Sequence, residues 1–322
     1  MLTGANGVVD TSPNPTERPD AVPVVDARGV HKQFGATHAV AGVDLQVHAG
    51  ELFGLIGHNG AGKSTLFKMM LGLIRPSAGE IRIDGTEVMG RHFRAVRRTV
   101  GYLPESVVLY DNLTAVETLQ FFARLKGVAR PDIAGVLERV GLSHAARRRV
   151  REYSKGMRQR LGFAQALLGS PRILFLDEPT TGLDPEAIRG FYAILRGLRD
   201  DGVTVIITSH ILAEIQERVD RLAIMASGRV QACGTVQALR EGMGLPLRLV
   251  VHSAPEHVAE IHQALTELAL VDVACGHDQV AVACGREQKM PVIAALSALG
   301  ARVRDLTVLE PSLEDVFFGF SD

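Results

Sequence analysis

The stretch LFGLIGHNGAGKSTLFKMM, residues 52–70, constrains this chain more than any other. Gly57, His58, Asn59, Gly60, Ala61, Gly62, Lys63 and Ser64 fit G-x-x-x-x-G-K-[ST], and Thr65 follows directly. An apolar, strand-like run precedes the motif and a helical run follows it. Glycines let a backbone wrap closely around oxygen atoms and turn its N–H groups inward. The helix that follows presents its N-terminus to the same oxygens. Lys63 adds a point charge, and Ser64 offers a hydroxyl to a divalent cation. The stretch therefore predicts a loop that cradles phosphate, not a glycine-rich turn that holds nothing.

Such a loop needs a carboxylate on the metal side. RILFLDEP supplies one: Ile173 to Leu176 read as a buried strand that ends at Asp177 and Glu178. Asp177 is expected to hold Mg²⁺, and Glu178 to take the proton of an attacking water. Two adjacent acids before Pro179 also suit the start of a helix. Beside the phosphate loop the metal-side reading prevails. A further apolar run, VTVIITSH, ends in His210, which at the carboxyl end of a parallel strand faces the ligand crevice of an open α/β sheet.

Composition narrows the partners. The 322 residues carry 35 Lys and Arg against 36 Asp and Glu, a net charge of −1, which argues against a general polyanion binder. Three cysteines suit a reducing compartment. No apolar run approaches the length that crosses a bilayer, and the first residues lack the apolar core of a signal peptide. Residues 1–22, with prolines at 13, 15 and 19, read as a disordered tail. Residues 23–240 read as one α/β domain. Its short apolar strands are parallel, GVDLQVHAGE and GEIRIDG are antiparallel, and a helical subdomain is inserted at about 105–165. Residues 241–322 read β-α-β-β-α-β, a small ferredoxin-like α+β domain, with a last helix in PSLEDVFF.

Taken together the motifs resemble the ATP-binding cassette ATPases over about Val24 to Leu239. Phe34 matches the aromatic that stacks on adenine. Gly57 to Thr65 match the Walker A loop. Gly101 to Glu105 match the Q-loop, and Tyr153-Ser154-Lys155-Gly156-Met157 the signature. Ile173 to Glu178 match Walker B with its catalytic acid. Thr181-Gly182-Leu183-Asp184 match the D-loop, and His210 the switch histidine. The resemblance implies a RecA-like core with antiparallel β and helical subdomains. It implies bound ATP with Mg²⁺ held through Ser64, Glu105 and Asp177, and Glu178 and His210 as catalytic residues. A chain with one cassette must then pair, so that Ser154, Lys155, Gly156 and Met157 reach the ATP of the partner subunit. Glu105 stands where glutamine is usual, and Lys155 and Met157 depart from the usual LSGGQ.

Within that family, GHNGAGKST, YSKGMRQRLGFAQALL and LEPSLEDVFF look like ATPases of ABC-2 type permeases. They are most similar to the NosF-type subunit that, with a NosY-like permease and a periplasmic NosD-like protein, matures the copper sites of nitrous-oxide reductase. This predicts a cytoplasmic homodimer on the inner face of the membrane, with no direct nucleic-acid partner. The alternatives are an exporter ATPase for drugs, lipids or glycans, and a non-transport cassette acting on nucleic acid. Three features tempt further. Cys275, His277 and Cys284 resemble no tight metal pattern, and Cys275 and Cys284 read as packing residues at the ends of two strands. Arg91, Arg94, Arg97 and Arg98 read as a solvated helix face. From Arg147 to Arg160 stand seven basic residues and one acid. Arg158 and Arg160 belong to the signature helix, and Arg147 to Arg151 read as solvated.

Overall fold

Strands made wholly of apolar residues cannot meet water on either face, so they gather inside a covered sheet. The computed structural model describes residues 22–242, 247–268 and 272–309. The chain divides into two units after Val236, four residues before the expected boundary. In the first unit the described strands are β1 (Val25–Phe34), β2 (Thr37–Val47), β3 (Leu52–Ile56), β4 (Ala78–Ile83), β5 (Thr86–Glu87), β6 (Val100–Leu103), β7 (Ile173–Leu176), β8 (Thr204–Ser209), β9 (Arg221–Ala226) and β10 (Arg229–Gly234). The described helices to that point are α1 (Lys63–Met70), α2 (Phe93–Arg97), α3 (Ala115–Lys126), α4 (Ile133–Arg139), α5 (Lys155–Leu167), α6 (Pro185–Asp200) and α7 (Leu212–Ile215). The short α8 (Val236–Gly242) follows at the division.

One sheet has the order β10-β9-β3-β8-β7-β6. Strands β9, β3, β8, β7 and β6 run parallel, and β10 closes the edge antiparallel to β9. All residues of β3, β7 and β8 are buried, which is why they read as continuous apolar runs. The second sheet, β2-β1-β4-β5, is antiparallel. Its strands alternate because only one face meets the core. The sequence shows no strand at β6: VGYL is too short for a period, and Gly101 to Leu103 count there only toward the Q-loop match. The Phe67 ring of α1 meets Phe175 of β7 edge to face, with centroids 5.3 Å apart, and so ties the two halves of the nucleotide motif together through the core.

The inserted segment is helical, in α3, α4 and α5. Thr114 opens α3 with a reciprocal capping box: its side chain accepts from Glu117 N–H, and the Glu117 carboxylate accepts from Thr114 N–H at 2.8 Å. Thr114→Ala is expected to cost about 1 kcal/mol of stability, read as a lower urea midpoint. Ser154 caps α5, accepting from Met157 N–H at 3.3 Å. Leu161, Ala164 and Leu168 are buried as the helical spacing requires, whereas Met157 is only half-buried. In α2, Phe93 is buried and the Arg97 guanidinium lies over its ring, while Arg94 and Arg98 are exposed.

The second unit contains β11 (Leu247–Ser253), α9 (Val258–Thr266), β12 (Asp272–Cys275), β13 (Gln279–Cys284), α10 (Lys289–Ala298) and β14 (Val303–Leu309). Its antiparallel sheet has the order β12-β13-β11-β14. Alternate residues of β11 and β13, from Leu247 to Val251 and Val280 to Cys284, join Ile261, Leu265, Val292 and Leu296 in its core. Cys284 is a packing residue there, and Cys275 is exposed on β12. Among the described residues no group of three or more His, Cys, Asp or Glu could hold a metal ion. The expected helix in PSLEDVFF lies outside the described residues. Among the described residues, no helix is long and apolar enough to cross a membrane.

Candidate functional site

The loop between β3 and α1 has no room for side chains at two of its glycines. A Cβ on Gly57 would strike the carbonyl oxygen of Met225, and one on Gly62 would strike that of Ala39. Gly62 also has φ of +103°, and Gly60 has φ of +86° with open space beside it. Both values favour glycine. The turn is braced by Ala61 N–H to His58 O at 3.1 Å, and the Ala61 carbonyl accepts from Gly228 N–H at 3.0 Å. Over it lies a cleft of about 500 Å³. Its walls are residues 58–65, residues 37–39 of the β1–β2 hairpin, and Glu105, Glu178, Thr181 and His210.

The ends of four parallel strands bring the reactive side chains together. Lys63 follows β3, Glu105 follows β6, Asp177 and Glu178 follow β7, and His210 follows β8. The Lys63 ammonium donates to Gly57 O at 2.5 Å and stands 3.4 Å from Glu178 Oε1. The other Glu178 oxygen, Oε2, is 2.7 Å from His210 Nδ1. Both Lys63 and Glu178 are buried, so the pair is weakly screened. Glu178 sits at φ of +47°, a left-handed conformation that costs a non-glycine residue about 1–2 kcal/mol. That backbone is held by Thr208, whose Oγ1 accepts from Glu178 N–H at 2.8 Å and donates to Asp177 Oδ1 at 2.7 Å.

Burial raises the Asp177 carboxyl above its usual range, and the Thr208 hydroxyl opposes this. The Tyr102 hydroxyl is pushed up to about 12, first by burial and then by Asp177 and Glu105. Asp177 and Glu178 lie beside the buried Lys63 ammonium, and the exposed Glu105 lines the same cleft. Hard oxygen donors with surplus negative charge suit Mg²⁺, and the Ser64 hydroxyl at the cleft adds a further oxygen. The cradle of crowded glycines suits a phosphate chain. The residues present therefore fit a magnesium nucleotide.

Thr208 was missed in the sequence, although a hydroxyl near the end of an apolar strand, in IITSH, is the signal that could have found it. Thr208→Val keeps the shape and removes both hydrogen bonds. The expected cost is about 1–3 kcal/mol, because Asp177 and the Glu178 N–H are left unsatisfied. A lower thermal midpoint would show it, and an unchanged midpoint would dismiss the tether.

Other expected residues lie apart from the cleft. Phe34 ends β1 half-exposed, with the Lys32 ammonium 4.9 Å from its ring centroid, and residues 37–39 form the nearby wall instead. Ser154, Lys155, Gly156 and Met157 begin α5 and do not line the cleft. They are laced to the loop that follows Glu178. Gln159 Nε2 donates to Pro179 O at 3.0 Å, and the Lys155 ammonium packs against Gly182 so closely that a Cβ there would collide with it. Lys155 therefore leans on its own D-loop and does not simply point to water. Asp184 accepts from Ala187 N–H at 2.8 Å and caps α6.

The family model described as ABC transporter matches residues 40–181. The daunorubicin/doxorubicin resistance ATP-binding protein DrrA of Streptomyces peucetius is 36% identical over 305 residues, covering 92% of each chain. The linearmycin resistance ATP-binding protein LnrL of Bacillus subtilis (strain 168) is 32% identical over 314 residues, 92% of this chain and 98% of that one. A solved structure of the ATP-binding subunit of an ABC transporter superposes with a TM-score of 0.63 at 31% identity, over 69% of this chain and 93% of that one. That coverage corresponds in extent to the first unit, whereas the two relatives match over both. On the cleft, the strand ends that build it and these likenesses, the chain belongs to the ABC transporter family as an ATP-binding ATPase subunit.

Proposed function

We propose that this subunit powers an exporter of amphiphilic, drug-like molecules, working as a homodimer beneath a separate ABC-2 type permease on the inner face of the membrane. The observation that carries the export reading is the likeness to DrrA and LnrL, two resistance proteins, through 92% of the chain. The copper-maturation role suggested by the motifs ranks below it. Neither relative is named for that role.

In this reading Lys63 exchanges the Glu178 carboxylate for the β- and γ-phosphate oxygens of ATP. Glu178 is then free to accept a proton from the attacking water as the bond from γ-phosphorus to the bridging oxygen breaks, giving ADP and phosphate. His210 changes its hydrogen bond from Glu178 to the γ-phosphate. Ser64, Asp177 and Glu105 would hold the Mg²⁺, which when bound would supply positive charge to the phosphates. Ser154 and the α5 N-terminus, with Lys155, Gly156 and Met157, complete the site of the partner subunit. The α5 lacing to residues 179–182 joins each signature to the D-loop of its own chain, so the two ATP sites respond together. Four exposed apolar side chains of the insertion, Val108, Tyr110, Phe121 and Leu125, offer the permease its contact.

Deleting the gene for this subunit separates the two transport readings. Heightened sensitivity to daunorubicin or linearmycin, with copper retained in nitrous-oxide reductase, supports export. Loss of that copper with unchanged drug sensitivity overturns export in favour of maturation.

A further inference from the structure

The nucleotide cleft draws no wall from the second unit. In that unit one face of the sheet is accounted for: alternate residues of β11 and β13 join α9 and α10 in the core. The pairing register fixes what stands on the opposite face, because directly paired residues point the same way. Three ranks cross it. Arg248 of β11 and Asp272 of β12 carry the charge of the first rank, beside Leu309 of β14. The middle rank is Thr307, Val250, Ala281 and Ala274. In the third, Asp305 of β14 and Gln279 of β13 flank His252.

This face is open. Val250 and Ala281 at its centre are half-buried, and Arg248, Asp272, Asp305 and Leu309 are exposed. Arg248 and Asp305 have no ion pair among the described residues. These positions hold no Phe, Tyr or Trp on which a base could stack, and two carboxylates stand against one guanidinium. A nucleic acid or an anionic leaflet is therefore a poor occupant. Small side chains across the middle suit another flat sheet, at the spacing of about 10 Å usual for sheets packed face to face. A face that meets a second copy of itself must be self-complementary. This one is: its cation and Asp305 lie on neighbouring strands at opposite ends. A two-fold that runs the strands of the two copies antiparallel sets each Arg248 beside the partner's Asp305, and each Asp272 beside the partner's Gln279. Running them parallel would leave Asp305 opposite no cation.

We propose that the open face of the β12-β13-β11-β14 sheet docks on the same face of a second copy when ATP pairs two subunits. Four strands about 4.8 Å apart, each contributing five residues of about 3.4 Å, give each copy a face of about 320 Å². Two such faces bury less than the roughly 1,200 Å² of an interface that stands alone. The contact is therefore weak in the free subunit and forms where a first contact has raised the effective concentration of the second. It rests on the pairing of subunits proposed above and is independent of what is exported. It gives the second unit a role: to hold the pair together beyond the two ATP sites.

The test uses the full chain with Glu178→Gln, which holds the ATP-bound pair. Arg248→Asp and Asp305→Arg should each weaken that pair about tenfold, measured by sedimentation velocity with ATP. The two substitutions together should restore it, which a merely structural loss would not do. Parent-like pairing in both single variants, or no recovery in the double, overturns the proposal. Ala281→Cys adds a second measurement: its thiol should react with a maleimide readily in ADP and much more slowly in ATP. Equal, fast labelling in both states overturns the proposal. Slow labelling in both overturns it too, because the chain then covers its own sheet. If ATP fails to pair even the Glu178→Gln chain, the pairing reading falls separately. Labelling of the thiol at rising protein concentration then decides the sheet contact, and a rate that does not fall overturns it.

Discussion

Glu178→Gln is expected to bind ATP and to hydrolyse it about 10²–10⁴-fold more slowly. The substitution preserves the shape and one carbonyl oxygen but removes the basicity needed to accept a proton from water. It also removes the charge that pairs with Lys63 at 3.4 Å. The lysine is then released for phosphate, so ATP affinity should hold or rise. With hydrolysis blocked, ATP should hold two subunits together, read as a dimer by size exclusion with ATP and a monomer with ADP. Single-turnover release of phosphate measures the chemical step. A rate within a few-fold of the parent would remove Glu178 from the role of base.

The second large effect belongs to Lys63. Its ammonium is buried and held over the loop by Gly57 O at 2.5 Å and His58 O at 3.4 Å, so it is positioned before any phosphate arrives. A preorganised charge in a dry site acts without further reorganisation, and removing one such group typically costs about 10²–10³ in rate. Lys63→Ala should therefore lose at least that much turnover. Nucleotide affinity, measured by fluorescence of a labelled ATP, should fall with it. The variant also leaves Glu178 buried with His210 as its described neighbour, which distinguishes this change from a surface lysine lost to solvent. Unchanged ATPase activity would count against the whole cleft.

Much of the site was legible because the chemistry resides in short contiguous runs. Gly57 to Thr65 announce a phosphate loop through glycine spacing alone, and Ile173 to Glu178 announce a buried strand ending in acids. What the linear reading missed depends on side chains from separated segments. Thr208 joins Asp177 to the Glu178 backbone across two adjacent parallel strands, and no local pattern says which hydroxyl will face which carboxylate. Strand β6 is four residues long, too short for periodicity to separate it from a loop. Phe34 ends β1 while residues 37–39 of the following strand line the cleft, and a linear pattern does not say which residues of a hairpin face a cleft.

The Lys155 contact belongs to the same class. The sequence shows a lysine where a glycine is usual, and from that alone the side chain could reach solvent or a phosphate. Folding brings the N-terminus of α5 against residues 179–182, and the ammonium settles on Gly182. The arginine run shows the division between the two levels most clearly. Sequence by itself determined that positive charge is concentrated between Arg147 and Arg160, that Ser154 starts a helix, and that the chain carries a phosphate loop with its acids. Those properties follow from residue type and spacing along one segment. Tertiary structure decided that the buried Lys63 and Glu178 meet the exposed His210, and that residues 146–151 run beside residues 111–116. Parallel strand ends and backbone pairing between distant segments create those neighbours, and a linear pattern cannot carry distances that only packing fixes.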